Sequence, residues 1–372
     1  MSTAGPSEFI ERIHASGNRC VLTLSGGGSL AIPVLLTVPG ASATMLDVAI
    51  PYAAAALAER LGGKLDQACS ESTARAMAMA AFERARTLTD DNPLSLRGVS
   101  CTGSLVTTRP KQGSHRVHVA WQSSRATVSY SCELAKGERT RSAEEAIAAE
   151  LLLHAVAEAC GVSVGPVRQP SESEPVVRRE KLADMEWTEL LLGLRESIAI
   201  RLEEQPKVVF SGAFNPLHEA HRRMAALALA RCGGPLALEL SIVNVDKPTL
   251  DFLEIDARLA GLTDYSILLS RAPTFVEKAA LVPGATFVVG ADTIVRIADE
   301  KYYGGDQQKR DSAIAAIASR GCRFLVFGRE CNGRFVVPSE MGLPSQLRQM
   351  CDEVPPSEFR LDMSSTELRG GT

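Results

Sequence analysis

Two histidines in the second half of the chain have the type and spacing to bind phosphate. In FSGAFNPLHEAH, residues 210–221, an apolar strand leads into a short turn, and His218 and His221 follow. The turn offers small residues that a phosphate can approach closely, and then one aromatic residue: Ser211, Gly212, Ala213 and Phe214. On the first turn of a helix both imidazoles would donate hydrogen bonds to phosphate oxygens, helped by the positive helix end. A metal site is the alternative, and it would need a third ligand from elsewhere in the chain.

Two further segments place polar residues directly after apolar runs. SIVNVDKP, residues 241–248, carries Asn244, which can hydrogen-bond a ligand, and Lys247, which can neutralise a phosphate. A solvated turn after a strand is the alternative there. FVVGADTIVRI, residues 287–297, opens through Gly290 into a helix whose first turn contains Asp292. That carboxylate could accept from a ribose, hold a metal-bound water or cap the helix.

A fourth segment, MSSTELR at residues 363–369, has the composition of a phosphate-binding helix start. Its hydroxyls and N–H groups come from Ser364, Ser365 and Thr366. Arg369 lies one turn further on and adds a charged donor. Ser364 and Glu367 also have the spacing of a capping box, and capping can coexist with anion binding at one helix end.

The elements that must bring these segments together are the strands of a parallel sheet. Apolar strands alternate with helical patterns in the C-terminal region, which predicts a doubly wound, Rossmann-like α/β sheet. Such sheets bind ligands at the carboxyl ends of their strands. The predicted strands are Val208–Ser211, Ala237–Val245, Thr286–Val289, Phe324–Phe327 and Phe359–Leu361.

The N-terminal half predicts a second α/β domain. CVLTL at residues 20–24 is typical of a buried strand, and RVHVAW followed by ATVSYSCEL predicts a hairpin. Ser142 and Glu145 have the spacing of a capping box, at the start of a long helix that Gly161 ends.

A proline-rich, charged stretch separates the two halves. Residues 165–180 show no periodicity and indicate a linker, and the apolar spacing of residues 182–203 predicts a helix after it. We therefore expect domains at residues 1–165 and 207–372, joined by residues 166–206.

The composition excludes several classes of function. Hydrophobic residues make up 45% and charged residues 23%, and the net charge is -4, so nothing favours nucleic acid or an anionic membrane as partner. The nine cysteines include no CxxC pair, which is typical of reduced thiols in a cytoplasmic protein and argues against structural zinc. We expect no secretory signal, no membrane span and no resident metal. The sequence leaves open whether the chain forms a homo-oligomer.

The four C-terminal segments, in this order, resemble the HxGH nucleotidyltransferase superfamily. GAFNPLHEAH, VNVDKP, VGADTIVRI and SSTELR are most similar to nicotinamide-mononucleotide (NMN) adenylyltransferases. The resemblance implies adenylation of nicotinamide or nicotinate mononucleotide by ATP, with Mg²⁺ on the phosphates and release of pyrophosphate. It assigns the triphosphate to His218 and His221, the leaving phosphates to Ser365, Thr366 and Arg369, and the acceptor to Asn244 and Lys247.

The chain departs from this family in two places. Ala220 stands where the HxGH pattern has glycine. Both tryptophans lie outside the matching region, so Phe275, Tyr302 or Tyr303 would have to stack on the pyridine ring. The alternatives are a cytidylyl- or adenylyltransferase for another phosphorylated metabolite, or a nucleotide-binding regulatory protein without turnover.

The N-terminal half resembles the CinA-type domain, which includes NMN deamidases. The likeness lies in LSGGGSLAIPVLLTVPGASATML followed by IPY. Ser25 matches the catalytic serine of that family, Tyr52 matches its tyrosine, and Gly26, Gly27 and Gly28 match its glycine-rich turn. Leu57 stands in place of the family's lysine, so the serine lacks an activating base. We therefore expect a vestigial site without deamidase activity.

Overall fold

The computed structural model describes residues 6–63, 66–108, 111–331, 334–336 and 338–359. Contacts divide the chain into two compact units. The first consists of Met1–Leu192 with Asp246–Asp256, and the second of Gly193–Val245 with Ala257–Thr372. Among the described residues no helix has the length and apolar character needed to cross a membrane.

A six-stranded mixed sheet forms the centre of the first unit, in the order β2-β1-β3-β4-β5-β6. Strand β1 runs parallel to β2 and β3, and the other neighbours are antiparallel. The strands are β1 (Arg19–Ser25), β2 (Met45–Ala49), β3 (Leu96–Ser104), β4 (His115–Gln122), β5 (Ala126–Leu134) and β6 (Val177–Leu182). The predicted α/β class is confirmed, and so is the predicted hairpin, which is formed by β4 and β5.

Helices cover both faces of this sheet. Within the described residues they are α1 (Pro6–His14), α2 (Ala31–Thr37), α3 (Ala41–Thr44), α4 (Ala54–Arg60), α5 (Glu71–Leu88), α6 (Arg141–Ala159) and α7 (Met185–Leu192). Helix α6 packs with Val99 and Cys101 in the main core. Helix α5 lies very close to the other face, where a Cβ on Gly98 would lie 2.1 Å from the Ala78 carbonyl oxygen. Only glycine fits there.

The predicted start of α6 is wrong by two residues. Thr140 caps the helix by accepting from the Ala143 N–H, so Ser142 lies inside it. The Glu145 carboxylate accepts instead from the Ser29 hydroxyl at 2.9 Å. The capping-box spacing predicted Ser142 as the N-cap, but the Glu145 carboxylate bonds to Ser29, which is distant in the sequence. Gly161 ends the helix with a φ of 71°, as predicted.

A seven-stranded sheet forms the second unit, in the order β15-β12-β11-β8-β9-β10-β7. All neighbours are parallel except β7, which is antiparallel to β10. The strands are β7 (Ser197–Ile200), β8 (Val208–Ser211), β9 (Leu236–Ser241), β10 (Ser266–Ser270), β11 (Thr286–Gly290), β12 (Arg323–Phe327) and β15 (Cys351–Val354), with a small hairpin of β13 (Arg329–Cys331) and β14 (Arg334–Val336). This order confirms the predicted doubly wound parallel sheet.

Two apolar layers lie against the two faces of this sheet. Within the described residues the helices of this unit are α8 (Glu219–Cys232), α10 (Phe275–Leu281), α11 (Ala291–Ala298), α12 (Gln307–Ser319) and α13 (Ser345–Gln349). Helix α9 (Phe252–Ala260) begins in the segment that groups with the first unit and ends in the second. Along β8, Phe210 joins the core beneath α8, whereas Val209 joins the core with α10 and α12. The alternation follows from the pleat of the strand.

Two strand predictions need correction. β9 ends at Ser241 rather than Val245. Phe359, the first residue of the strand predicted over Phe359–Leu361, follows β15 and is not part of a strand, and residues 360 and 361 lie outside the described part of the chain. The ring of Phe359 packs edge-on against Phe327 at 4.9 Å. Its apolar character therefore reflects burial in the core, which a short apolar run cannot distinguish from a strand.

The predicted linker and its helix are also different in the structure. Residues 177–182 form β6, which pairs with β5 in the first sheet. The helix expected over residues 182–203 is limited to α7, because Gly193 follows it with a φ of 77°. Strand β7 then pairs with β10.

Candidate functional site

The candidate site lies where the strand order of the second sheet reverses. Strand β8 has β9 on one side and β11 on the other, and the chain reaches β11 only after β9 and β10. Loops at such a switch point diverge and leave a crevice at the carboxyl ends of the strands. Ser211 ends β8 and Gly290 ends β11, so both predicted glycine turns border this crevice.

The backbone of the turn after β8 is held by two hydrogen bonds, one from another part of the backbone and one from a side chain. The Gly212 N–H donates to the Glu239 carbonyl at 3.1 Å, and the Ala213 carbonyl accepts from the Arg258 guanidinium at 3.2 Å. Phe214 has a φ of 45° and turns its buried ring back over Gly212. A Cβ on Gly212 would lie 2.8 Å from that ring. Glycine is required here by the ring of Phe214, a reason the sequence does not show.

His218 and His221 come together at the start of α8. His218 directly precedes the helix, and His221 lies in its first turn. Their rings stack, with centroids 3.7 Å apart and planes inclined by 23°. The ring of His221 is supported edge-on by Phe214 at 5.4 Å and Phe210 at 5.8 Å. The two aromatic residues thus fix the orientation of the imidazole pair.

Both imidazoles are neutral at physiological pH. Burial lowers the pKa of His218, and burial together with the adjacent His218 lowers the pKa of His221 to about 4. The Nδ1 atom of His221 accepts from the His218 backbone N–H at 3.3 Å. Neutral His221 therefore carries its proton on Nε2, where it can donate to a ligand oxygen.

Helix α8 adds a positive end beside these rings. It runs for 14 residues, so its dipole and its first N–H groups favour an anion at this position. Ala220, which replaces the glycine of the HxGH pattern, has its methyl group buried in the protein. The Ser211 hydroxyl oxygen is buried, and among the described residues it has no hydrogen-bond partner.

The neighbouring turn leaves open space at the end of β11. Nothing among the described residues lies within 4 Å of a Cβ built on Gly290. Gly290 is also the N-cap residue of α11, so the interpretation of Asp292 as the cap is wrong. Asp292 is exposed in the first turn of that helix.

The predicted acceptor residues fall in different units. Asn244 follows β9 in the second unit, whereas Lys247 belongs to the segment that groups with the first. Both side chains are exposed.

Of the three aromatic residues considered for stacking, Phe275 is half-buried. Its ring packs edge-on against Phe287 at 5.3 Å and Phe324 at 5.5 Å, at the margin of the core. Tyr302 and Tyr303 follow α11 and are half-buried. The Tyr303 hydroxyl donates to the Ile297 carbonyl at 3.1 Å, and the Lys301 ammonium lies 4.9 Å from the Tyr302 ring centroid.

The sequence did not reveal a buried ion pair next to the turn. Lys278 donates to both carboxylate oxygens of Glu239, at 2.7 and 2.8 Å, and the Ser270 hydroxyl also donates to Glu239. Glu239 is the strand neighbour of Ser211 and supplies the carbonyl that accepts from Gly212. Arg258, which contacts the turn directly, was missed as well. An arginine in an amphipathic helix gives no such signal in the sequence.

Four predicted residues, Ser364, Ser365, Thr366 and Arg369, lie outside the described residues. Across the residues that are described, no group of three or more His, Cys, Asp or Glu side chains could hold a metal ion.

The N-terminal glycine-rich turn is tightly packed. Gly26 has a φ of 77°, and a Cβ there would lie 2.1 Å from the Gly103 carbonyl oxygen. Gly28 also has a positive φ, and a Cβ on Gly27 would lie 3.0 Å from the Leu105 side chain. The Arg141 guanidinium donates to the Gly26 carbonyl at 3.0 Å. The glycines therefore serve close packing.

The predicted serine site of the first unit has no catalytic arrangement in its described contacts. The Ser25 hydroxyl donates to the Pro51 carbonyl at 3.1 Å, and a carbonyl cannot take its proton. Tyr52 is 72% exposed. Leu57, at the position of the family's lysine, is 1% exposed and packs with Leu61 and Met77. This position is part of a core.

No known protein-family model matches the chain. A protein of Schizosaccharomyces pombe described as a "putative nicotinamide mononucleotide adenylyltransferase" is 26% identical over 185 residues, which are 46% of this chain and 72% of that protein. This match over part of the chain confirms the predicted resemblance to NMN adenylyltransferases.

Solved structures similar to the chain include CinA-type proteins, as the N-terminal motifs predict. The competence/damage inducible protein CihA from Agrobacterium tumefaciens is 22% identical with a TM-score of 0.32, covering 43% of this chain and 96% of that one. A CinA-superfamily protein from Klebsiella pneumoniae is 15% identical with a TM-score of 0.33, covering 42% and 99%.

Proposed function

We propose that the second unit is a nucleotidyltransferase that adenylates nicotinamide or nicotinate mononucleotide with ATP. The products are NAD, or its deamido form, and pyrophosphate. The observation that carries the proposal is the pair of stacked, neutral imidazoles of His218 and His221 at the start of α8, beside the turn that ends β8. The similarity to the S. pombe protein supports NMN as the acceptor.

In this reaction a phosphate oxygen of the mononucleotide attacks the α-phosphorus of ATP in line. The bond from that phosphorus to the bridging oxygen of the β-phosphate breaks, and pyrophosphate leaves without a covalent enzyme intermediate. The protein has to hold both substrates and to neutralise charge on the leaving group.

The site offers donors suited to that task. The Nε2–H of His221 and the imidazole of His218 donate to triphosphate oxygens, and the first N–H groups of α8 point the same way. Arg258, held against the Ala213 carbonyl, adds a positive charge next to the turn. The open space at Gly290 accommodates the nucleotide between the ends of β8 and β11.

The remaining roles follow the family resemblance. Ser365, Thr366 and Arg369 would bind the leaving phosphates, and Asn244 and Lys247 the acceptor. Mg²⁺ would come with ATP and neutralise its phosphates. The exposed carboxylate of Asp292 suits an ion whose other ligands are phosphate oxygens and water.

The decisive experiment measures pyrophosphate release by the purified protein with ATP and NMN. Replacing His218 or His221 by Ala should lower kcat by roughly a hundredfold, as for loss of one preorganised donor. His118→Gln, in the first unit, is the matched control and should leave the rate unchanged. Wild-type rates in both alanine variants would refute the assignment of the imidazoles.

The same assay separates the alternatives. Pyrophosphate release with CTP or with another phosphorylated acceptor, but not with NMN, would establish a different transferase. Binding of ATP with no release of pyrophosphate from any pair would establish a regulatory protein.

For the first unit we infer that NMN deamidase activity is absent. The Ser25 hydroxyl is bonded to a carbonyl, and the position of the lysine is filled by a core leucine. Ammonia release from NMN by the full chain, abolished by Ser25→Ala, would show that another group serves as the base.

A further inference from the structure

Two cysteines far apart in the sequence meet in the core of the first unit. The sulfur of Cys20, in β1, lies 3.6 Å from the sulfur of Cys160, which directly follows α6. Cys20 is 0% exposed and Cys160 is 4% exposed. Both are free thiols that pack in the same apolar cluster. A van der Waals contact between two sulfurs leaves only a small movement before a bond can form.

The surroundings of Cys160 distinguish the two thiols. Arg97 donates to the carbonyl of Ala159, the residue before Cys160, and its positive charge lies close to both sulfurs. Hydrogen bonds from Cys20 and Ser16 lower the pKa of Cys160. The hydrogen bond with Cys160 and burial raise the pKa of the Cys20 thiol. Cys160 is therefore the better thiolate, and Cys20 keeps its proton.

Cys160 also lies where the protein can open locally. It is the C-cap residue of α6, and Gly161 after it is exposed with a φ of 71°. Helix ends fray more readily than helix centres. A small uncharged oxidant can reach a sulfur at such a position when a larger disulfide reagent cannot.

We infer that Cys160 is a peroxide-sensitive site and that Cys20 resolves it by forming a reversible disulfide. The Cys160 thiolate attacks one oxygen of hydrogen peroxide, the O–O bond breaks, and hydroxide leaves, so that Cys160 becomes a sulfenic acid. The Cys20 sulfur then attacks the sulfenic sulfur and displaces its oxygen, which leaves as water with the Cys20 proton. The two thiols are oxidised by two electrons, and the peroxide is reduced.

The test treats the folded full-length protein with hydrogen peroxide and counts the remaining thiols after denaturation. We expect two of the nine cysteines to become unreactive to alkylation, and peptide mapping to show a Cys20–Cys160 link that dithiothreitol reverses. Cys322→Ser is the matched control, because Cys322 is a buried cysteine of the second unit, and it should leave the link intact.

A variant identifies the order of the two steps. In Cys20→Ser the resolving thiol is gone, so a sulfenic acid on Cys160 should accumulate and react with dimedone. Peptide mapping of the wild-type protein remains decisive if this variant does not fold. Links that involve other cysteines, or retention of the Cys20 and Cys160 thiols at peroxide concentrations that oxidise exposed Cys232, would overturn the inference.

Discussion

Replacing Gly212 by alanine should disturb the imidazole pair through the ring of Phe214. The added Cβ would lie 2.8 Å from two atoms of that ring, closer than real Cβ contacts allow. The ring cannot yield easily, because it is buried and packs against Phe210 at 5.4 Å and 90°. Overpacking of this kind costs about 1–3 kcal/mol. We therefore expect the free energy of unfolding to fall by about 2 kcal/mol.

The displacement should reach the histidines. Phe214 supports His221, and His221 stacks on His218. A misplacement of about 1 Å in a positioning group can cost roughly a hundredfold in rate. Displacement of the Phe214 ring should also expose His221 to water, so the pKa of His221 should rise from about 4 towards the ordinary value of histidine. NMR titration of the imidazole protons measures this pKa without relying on any enzymatic assay.

Two variants make the test specific. Gly342→Ala is the matched control, since a Cβ there meets nothing within 4 Å among the described residues. The double variant Gly212→Ala with Phe214→Leu removes part of the colliding ring and should recover about 1 kcal/mol as a coupling energy. If Gly212→Ala changes stability by less than about 0.5 kcal/mol and leaves the pKa of His221 in place, the proposed chain of contacts is refuted.

Three further outcomes follow from buried groups. The pKa of His221 is lowered to about 4, so between about pH 6.5 and pH 4 the unfolded chain binds more protons than the folded chain. As the pH falls through this window, the free energy of unfolding measured in urea should fall by about 1–2 kcal/mol, after allowance for partial exposure of the ring. The decrease should be smaller in His221→Gln. Lys278→Met should lower the free energy of unfolding by about 3–5 kcal/mol by leaving Glu239 unpaired, whereas Lys278→Met with Glu239→Leu should recover most of it, and an additive loss would contradict this. Leu57→Lys should lower the melting temperature of the first unit by burying a charge and should not create deamidase activity; a stable, active variant would show that this position borders a site.

Much of the second sheet could be predicted because its strands are buried on both faces. Val208–Ser211 was predicted with the observed bounds, since a continuous apolar run before a glycine turn is typical of a central parallel strand. Strand β7 was assigned to a helix, because the residues on both sides of Gly193 share a helical spacing and only the pairing with β10 distinguishes them. Local patterns do not contain that information.

The candidate site, like the sheet, could be predicted only in part from the sequence. The spacing of His218 and His221 placed both at one helix start, as the structure does. Their neutral, stacked state depends on Phe210 and Phe214, whose burial is a property of the folded unit. The contact of Cys20 with Cys160 joins residues 140 positions apart, and no rule of spacing predicts it.

The first unit is not one continuous stretch of the gene. Asp246–Asp256, encoded between two strands of the second sheet, packs within it: Asp251 pairs with buried Arg75 at 3.1 Å, and the Phe252 ring lies 6.0 Å from Trp187. The Phe252 N–H donates to the Thr127 hydroxyl at 3.0 Å. A fragment cut after residue 192 would leave a buried arginine short of a counterion and an apolar surface uncovered. Recombination that exchanged the second unit for another domain would have to keep this insert, because the first unit is incomplete without it.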